Sequence, residues 1–120
     1  MQIAAAALVT IVAALHVYFL VLEMFLWRKP FGRRTFGMTQ EMADSSAVLA
    51  ANQGLYNGFL AAGLVWGLLA YGVASGRAIL TFFLVCIIIA GVYGAATVSR
   101  RIALVQAFPA AVALGAVWLS

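Results

Sequence analysis

Two titratable side chains lie inside the first long apolar run of the sequence, His16 and Glu23. They are seven positions apart, which is close to two turns of an α-helix, so both would lie on one face, about 10 Å apart along the axis. A carboxyl and an imidazole inside a membrane could exchange protons or hold a cation. A single histidine does not make a metal site, so we predict neither a metal nor a cofactor.

Amides and hydroxyls also occur in the three later apolar runs. Polar groups inside a bilayer are costly and tend to face the protein interior. An α-helix rises about 1.5 Å per residue, which gives each of these polar groups a depth in the membrane. By this measure they lie together in one half of the membrane and near its midplane. The sequence therefore predicts a small polar pocket whose candidate residues are His16, Glu23, Asn52, Gln53, Tyr56, Asn57, Tyr93, Thr97 and Gln106. The competing interpretation is structural: the same groups would join the helices by hydrogen bonds, while Glu23 reaches toward Arg28 or water.

The composition requires a membrane setting for these residues. Of the 120 residues, 67% are hydrophobic and only 8% are charged, whereas an average soluble domain carries about 25% charged residues. This excludes an ordinary cytosolic enzyme and a disordered chain. The single cysteine, Cys86, excludes a disulfide-built module. The net charge of +4 does not indicate nucleic-acid binding, because the basic residues lie at the ends of apolar runs.

Four apolar runs are long enough to be membrane spans of roughly 20 residues. They cover about residues 3–27, 47–74, 78–99 and 102–119, with an interfacial segment at 28–46. We therefore expect a single all-α domain over residues 1–120, a polytopic bundle of four transmembrane helices. The first run has no basic segment before it and is too long for a cleaved signal. Thr39 followed by Glu41 is typical of a helix start and places one near Gln40.

The lysine and arginine residues predict the orientation of these spans. Four lie in the segment after the first span, two more are Arg100 and Arg101, and the opposite side has only Arg77. Positively charged loops stay in the cytoplasm. The sequence thus predicts a bacterial inner (plasma) membrane protein with both termini extracytoplasmic, so that the polar half of the bundle faces the cytoplasm.

Small residues four apart predict close helix packing. The second run has three such pairs, Gly54 with Gly58, Gly63 with Gly67, and Gly72 with Gly76, and the third run has Ala90 with Gly94. Packing within the chain is the preferred interpretation, and a dimer face is the alternative.

The polar positions also form a recognisable string. It comprises His16 with EMFLW at 23–27, RRTFG at 33–37, NQGLYNGFLAAG at 52–63, AGVYGAATVS at 90–99 and QAFP at 106–109. This string resembles the small bacterial integral membrane proteins of domain-of-unknown-function family 1304 over essentially the whole chain, without a clear departure. The resemblance implies a four-helix inner-membrane protein and brings no established activity. Small multidrug exporters and membrane glutathione transferases are similar in architecture only.

The preferred function is the handling of a small solute, a proton or a lipid-like molecule, of which transport is one form. No catalytic nucleophile is identified. One alternative is a small membrane enzyme that uses Glu23 or His16 as an acid–base group. The other is an accessory subunit of a larger membrane complex. The expected partners are the lipid bilayer, a small ligand of unknown identity and either a second copy or a larger complex, without nucleic acid.

Overall fold

The computed structural model describes residues 1–120, which are helical and contain no strand. The helices are α1 (Gln2–Met24), α2 (Pro30–Phe36), α3 (Gln40–Ser75), α4 (Arg77–Thr97) and α5 (Phe108–Trp118), and a π-helical turn (Ala103–Ala107) precedes α5. The predicted all-α class is confirmed.

The number of membrane-crossing helices differs from the prediction. Three helices, α1, α3 and α4, are long and apolar enough to cross a membrane. The fourth apolar segment, Ala103–Trp118, is shorter. At about 1.5 Å per residue it extends roughly 24 Å, less than the roughly 30 Å of a bilayer core. The structure thus confirms three candidate spans and not the four expected.

The interfacial segment contains more helix than the sequence indicated. Helix α1 ends at Met24, three residues before the predicted end of the span, and the short α2 lies within residues 28–46. Gly37 ends α2 in the left-handed conformation (φ 63°), which is the usual place for a glycine. Helix α3 begins at Gln40, where the Met42 N–H donates to Thr39 Oγ1 at 3.1 Å. The predicted helix start is confirmed.

Gly72 interrupts α3 near its end. Its φ of 76° and ψ of 177° are not helical, and only glycine adopts them readily. The N–H of Gly76 donates to the Gly72 carbonyl at 2.8 Å, immediately before α4 begins. A methyl group on Gly72 would have no neighbour within 4 Å. The expectation that Gly72 packs against another helix is therefore corrected: it bends the chain into the short connection between α3 and α4.

Pro109 explains the π-helical turn. Proline has no N–H and its ring collides with the carbonyl four residues earlier, here that of Val105. The helix accommodates this by widening, so that the Phe108 N–H donates to Ala103, five residues back. Such single π turns inside α-helices are known to relieve this kind of local conflict.

By their contacts the residues form two compact units, Leu15–Phe59 and a second made of Met1–Ala14 with Leu60–Ser120. The second unit contains an apolar core that includes Val9, Leu64, Leu80, Leu84 and Val117. The expectation of a single domain stays a prediction.

Close packing in the second unit involves glycines, as expected, but not the expected pair on α4. A methyl group on Gly63 would collide with the Phe83 ring, and one on Gly67 would lie 2.8 Å from Leu80 Cδ2. On α4 the buried small residue is Gly91, next to Ala107, whereas Ala90 is exposed. Gly94 is partly buried against Ile102. Of the Ala90–Gly94 pair, Gly94 makes the close contact expected of it, and only Ala90 is corrected, to Gly91, since adjacent residues on a helix point about 100° apart.

The contact at Gly91 predicts a stability difference between two glycine-to-alanine changes. An added methyl group at Gly91 would lie 2.6 Å from the backbone nitrogen of Ala107, while one at Gly115 would meet nothing within 4 Å. We expect Gly91→Ala to lower the free energy of unfolding by about 1–3 kcal/mol, because overpacking forces the backbone to shift. Gly115→Ala is the matched control and should be neutral or slightly stabilising. Unfolding of both variants in detergent, followed by circular dichroism, tests this; equal stabilities would contradict the packing.

Candidate functional site

A buried carboxyl–amide pair lies at the centre of the Leu15–Phe59 unit. Glu23, in the last turn of α1, is 7% exposed, and Asn57 on α3 is 6% exposed. The Asn57 amide Nδ2 donates a hydrogen bond to Glu23 Oε1 at 2.5 Å. A hydrogen bond to a carboxyl group at low dielectric is stronger than one between neutral groups. Two of the nine predicted site residues are thus brought together directly.

Two glycines let α3 approach Glu23 closely enough for this bond. A methyl group on Gly54 would lie 2.7 Å from Met24 Cγ and 3.1 Å from Glu23 Cβ. A methyl group on Gly58 would lie 2.7 Å from Leu20 Cδ1. A side chain at either position would push the two helices apart and lengthen the donor–acceptor distance beyond that of a hydrogen bond. The packing role of Gly54 and Gly58 stays a prediction, which these close approaches support.

A cleft of about 370 Å³ opens beside Glu23. Its walls are the end of α1, the turn that follows it and the second and third turns of α3; the lining residues are Glu23, Met24, Phe25, Trp27, Arg28, Lys29, Asp44, Ala47, Val48 and Ala51. Asn57 holds Oε1 of Glu23, and Glu23 itself lines the cleft. The Glu23 carboxyl group is therefore the buried acid that a ligand in the cleft would meet.

Charges of both signs line this cleft without pairing with each other. Glu23 and Asp44 are acidic, Arg28 and Lys29 are basic, and no ion pair within 4 Å joins them. Asp44 instead accepts a hydrogen bond from Gln40 Nε2 at 2.8 Å. Asp44, Arg28 and Lys29 are solvent-exposed, whereas Glu23 is buried. The cleft thus has a carboxyl group at its base and a mixed-charge rim.

Trp27 fixes the turn that forms one wall. Its indole Nε1–H donates to Ser46 Oγ on α3 at 3.0 Å, and its ring lies 4.8 Å from that of Phe36 on α2. Gly32 also approaches the Leu26 backbone so closely that a Cβ there would collide with the carbonyl. These contacts hold Arg28 and Lys29, which follow Trp27 directly, at the mouth of the cleft.

The other predicted site residues differ in how deeply they are buried. His16 is fully buried, and its ring meets Phe19 edge to face at 5.1 Å. Asn52, Gln53 and Tyr56 are solvent-exposed on α3.

On α4 Tyr93 is 70% exposed and Thr97 is exposed too, while Gln106 is partly buried. The expectation that Asn52, Gln53, Tyr56, Tyr93 and Thr97 point inward is therefore corrected. Asn52 and Thr97 are satisfied within their own helices, by the carbonyls of Val48 and Tyr93 at 3.0 and 2.7 Å.

The sequence argument missed the rim of the cleft. Arg28 and Lys29 were interpreted as topology signals only, and Asp44 and Trp27 were not placed in the pocket. A signal did exist, because these residues flank the ends of the first two apolar runs that lie on the same predicted side of the membrane. Charges that meet at one end of two neighbouring helices are candidates for a shared site.

An all-helical chain with three helices able to cross a membrane, and with a buried carboxyl group beside a charged cleft, fits a small membrane protein. The comparisons name its family: the chain belongs to the proteins of unknown function DUF1304, whose model matches residues 10–118. It is 32% identical over 106 residues to the uncharacterized protein YpaA of Lactococcus lactis subsp. lactis (strain IL1403), covering 87% of each chain. No solved structure matches the chain.

The hydrogen bond to Glu23 predicts different effects for two asparagine changes on α3. Asn57→Ala removes the donor and leaves a buried carboxyl oxygen without a partner, so we expect a loss of about 1–3 kcal/mol in unfolding free energy. Asn52→Ala is the matched control; the Asn52 amide is exposed and bonds its own helix, so its loss should change stability by less than about 0.5 kcal/mol. Denaturant unfolding in micelles measures both, and an Asn57→Ala variant as stable as Asn52→Ala would disprove the role of the pair.

Proposed function

We propose that this chain is a four-span inner-membrane protein that binds a small cationic solute in a cleft facing the cytoplasm, with Glu23 as the binding carboxylate. The observation that carries the proposal is the buried Glu23, whose Oε1 is held by Asn57 and which lines the cleft. A carboxylate out of water is costly unless it is paired with an opposite charge. A cation that enters the cleft would pair with this carboxylate.

The size and the lining of the cleft support a small solute. Its volume of about 370 Å³ falls in the range of small-molecule pockets, roughly 300–1,000 Å³. Apolar side chains, among them Met24 and Ala47, lie between the charged ones. This mixture of apolar wall and few polar groups is typical of sites that orient a ligand.

The fourth span and the orientation belong to the proposal. Residues 101–102 are helical and continue into Ala103–Trp118, which lengthens the apolar helix toward that required of a span. Arg28, Lys29, Arg33 and Arg34 all lie between α1 and α3. Their positive charge supports a cytoplasmic location for this segment and for the cleft beside it.

The orientation predicts opposite labelling of two engineered cysteines in intact cells. Thr35 on α2 and Ser75 at the end of α3 are both exposed. In a Cys86→Ser background, Ser75→Cys should react with a membrane-impermeant maleimide, while Thr35→Cys should react only after the membrane is permeabilised. Reaction of Thr35→Cys before permeabilisation, with Ser75→Cys protected, would reverse the proposed topology.

The proposed site predicts that small amines stabilise the protein through Glu23. A ligand that binds only the folded state adds about 2.7 kcal/mol of stability at a concentration of 100 times its Kd. We therefore expect ethylamine, ethanolamine or a related small amine to raise the Tm of the detergent-solubilised protein. Glu23→Gln, which removes the negative charge but keeps the shape, should abolish this increase.

Glu41→Gln is the control for that experiment, because Glu41 is exposed and does not line the cleft. Its response to amines should match that of the wild-type protein. If no small amine raises the Tm of the wild-type protein, or if Glu23→Gln responds as fully as wild type, a cation site at Glu23 is wrong.

A further inference from the structure

The arrangement of charges in the cleft indicates more than a simple cation. The Glu23 carboxylate at the base would accept from a cationic donor, whereas Arg28 and Lys29 at the rim offer donors to an anion. These groups line one cleft without forming ion pairs within 4 Å of each other. A ligand with a cationic and an anionic end would satisfy both sets at once, and a simple amine would satisfy only one.

Guanidinium and ammonium groups are common ligands of phosphate. A phosphate at the mouth of the cleft would therefore meet Arg28 and Lys29, and an ammonium group carried on the same molecule would reach Glu23 or Asp44 inside it. The volume of about 370 Å³ equals that of about a dozen water molecules at roughly 30 Å³ each. A phosphate joined to a short aminoalkyl group fits within that volume.

The apolar part of the lining indicates what such a group is attached to. Phe25 is 65% exposed and Val48 is 75% exposed, and both border the cleft. Phe25 directly follows α1, and Val48 lies in the third turn of α3, at the predicted start of the second span. Apolar side chains exposed at this level of a membrane contact lipid. Trp27 at the same level is typical of the membrane interface.

From these placements we propose that the cleft binds the headgroup of an ethanolamine phospholipid: the phosphate contacts Arg28 and Lys29, the ammonium group donates to the Glu23 carboxylate, and the acyl chains lie along Phe25 and Val48. The inference rests on the proposed function, because it names the chemical class of the cation that Glu23 binds. It also excludes a choline headgroup, since a quaternary ammonium has no N–H to donate.

The test is the binding of defined lipids to the full chain. Purified protein in detergent is mixed with equal amounts of phosphatidylethanolamine, phosphatidylcholine and phosphatidylglycerol, and bound lipid is quantified by native mass spectrometry. We expect phosphatidylethanolamine to bind at least about tenfold more tightly than phosphatidylcholine, as one hydrogen bond to a charged group allows. Soluble phosphoethanolamine is a separate arm: strong competition by it at equal concentration would identify a free solute rather than a lipid as the ligand.

Variants assign the two ends of the headgroup. Glu23→Gln should remove the preference for phosphatidylethanolamine over phosphatidylcholine, and Glu41→Gln should retain it. The double change Arg28→Gln and Lys29→Gln should weaken phosphatidylethanolamine and phosphatidylglycerol alike, while the same changes at Arg100 and Arg101 should not. If Glu23→Gln fails to fold, the double change Arg28→Gln and Lys29→Gln carries the test, because both residues are exposed and line the same cleft; unchanged binding of phosphatidylethanolamine by that variant would overturn the proposal.

The outcomes separate this inference from the function on which it rests. Equal binding of ethanolamine and choline lipids, or a preference for ethanolamine that survives Glu23→Gln, would overturn the lipid assignment. If small amines still stabilise the protein through Glu23 in that case, the cation site stands and its ligand is a soluble amine. If the amines have no effect and the lipids are not discriminated, both proposals fail together.

Discussion

The need to pair a carboxyl group inside an apolar helix is the constraint on which the Leu15–Phe59 unit depends. Glu23 lies in the last turn of α1 and is buried, so at least one of its oxygens must receive a hydrogen bond. Asn57 supplies it. The bond requires α3 to lie close to α1, and Gly54 and Gly58 permit that distance because neither carries a side chain. One polar contact thus determines where glycine is required on α3.

The same closeness creates the cleft. Because α1 ends at Met24 and its last turn contacts α3, the following turn bends across the first part of α3, where Trp27 bonds Ser46. Arg28 and Lys29 are carried to the rim by that bend, and Asp44 lies opposite on α3. Charges far apart in the sequence are therefore gathered beside the buried carboxyl group. The mixed charge of the rim follows from chain geometry, not from a local sequence motif.

The sequence predicts the structure well where the signal depends on residues that are close together in the chain. Long apolar runs identify the helices, and Thr39 with Glu41 identifies the start of α3, because capping is a local interaction. It failed where the signal depends on which face of a helix is covered. In a helix that is apolar all round, no periodic pattern separates a buried from an exposed face, so Asn52, Gln53 and Tyr56 were placed with Asn57 although they are exposed.

Similar reasoning applies to the small residues and to the last apolar run. Ala90 and Gly91 are equally good candidates for close packing from sequence, and only the position of Ala107 selects Gly91. The last apolar run contains a π-helical turn just before Pro109, which the sequence pattern did not indicate. Such an interruption depends on how the helix adjusts to the missing N–H of proline and to the carbonyl that its ring displaces. The spacing of apolar residues does not contain that information.

How each polar side chain is satisfied separates the structural polar groups from the candidate functional ones. Thr10, Asn52 and Thr97 each donate to the carbonyl four residues back in their own helix, so they need no partner on another element. Asn57 differs because its amide donates to the carboxyl group of another helix. That bond holds one oxygen of Glu23, and the same carboxyl group lines a cleft. Burial, a hydrogen bond from a second helix and a place in the wall of a cleft together distinguish Glu23 from Thr10, Asn52 and Thr97, each of which is satisfied within its own helix.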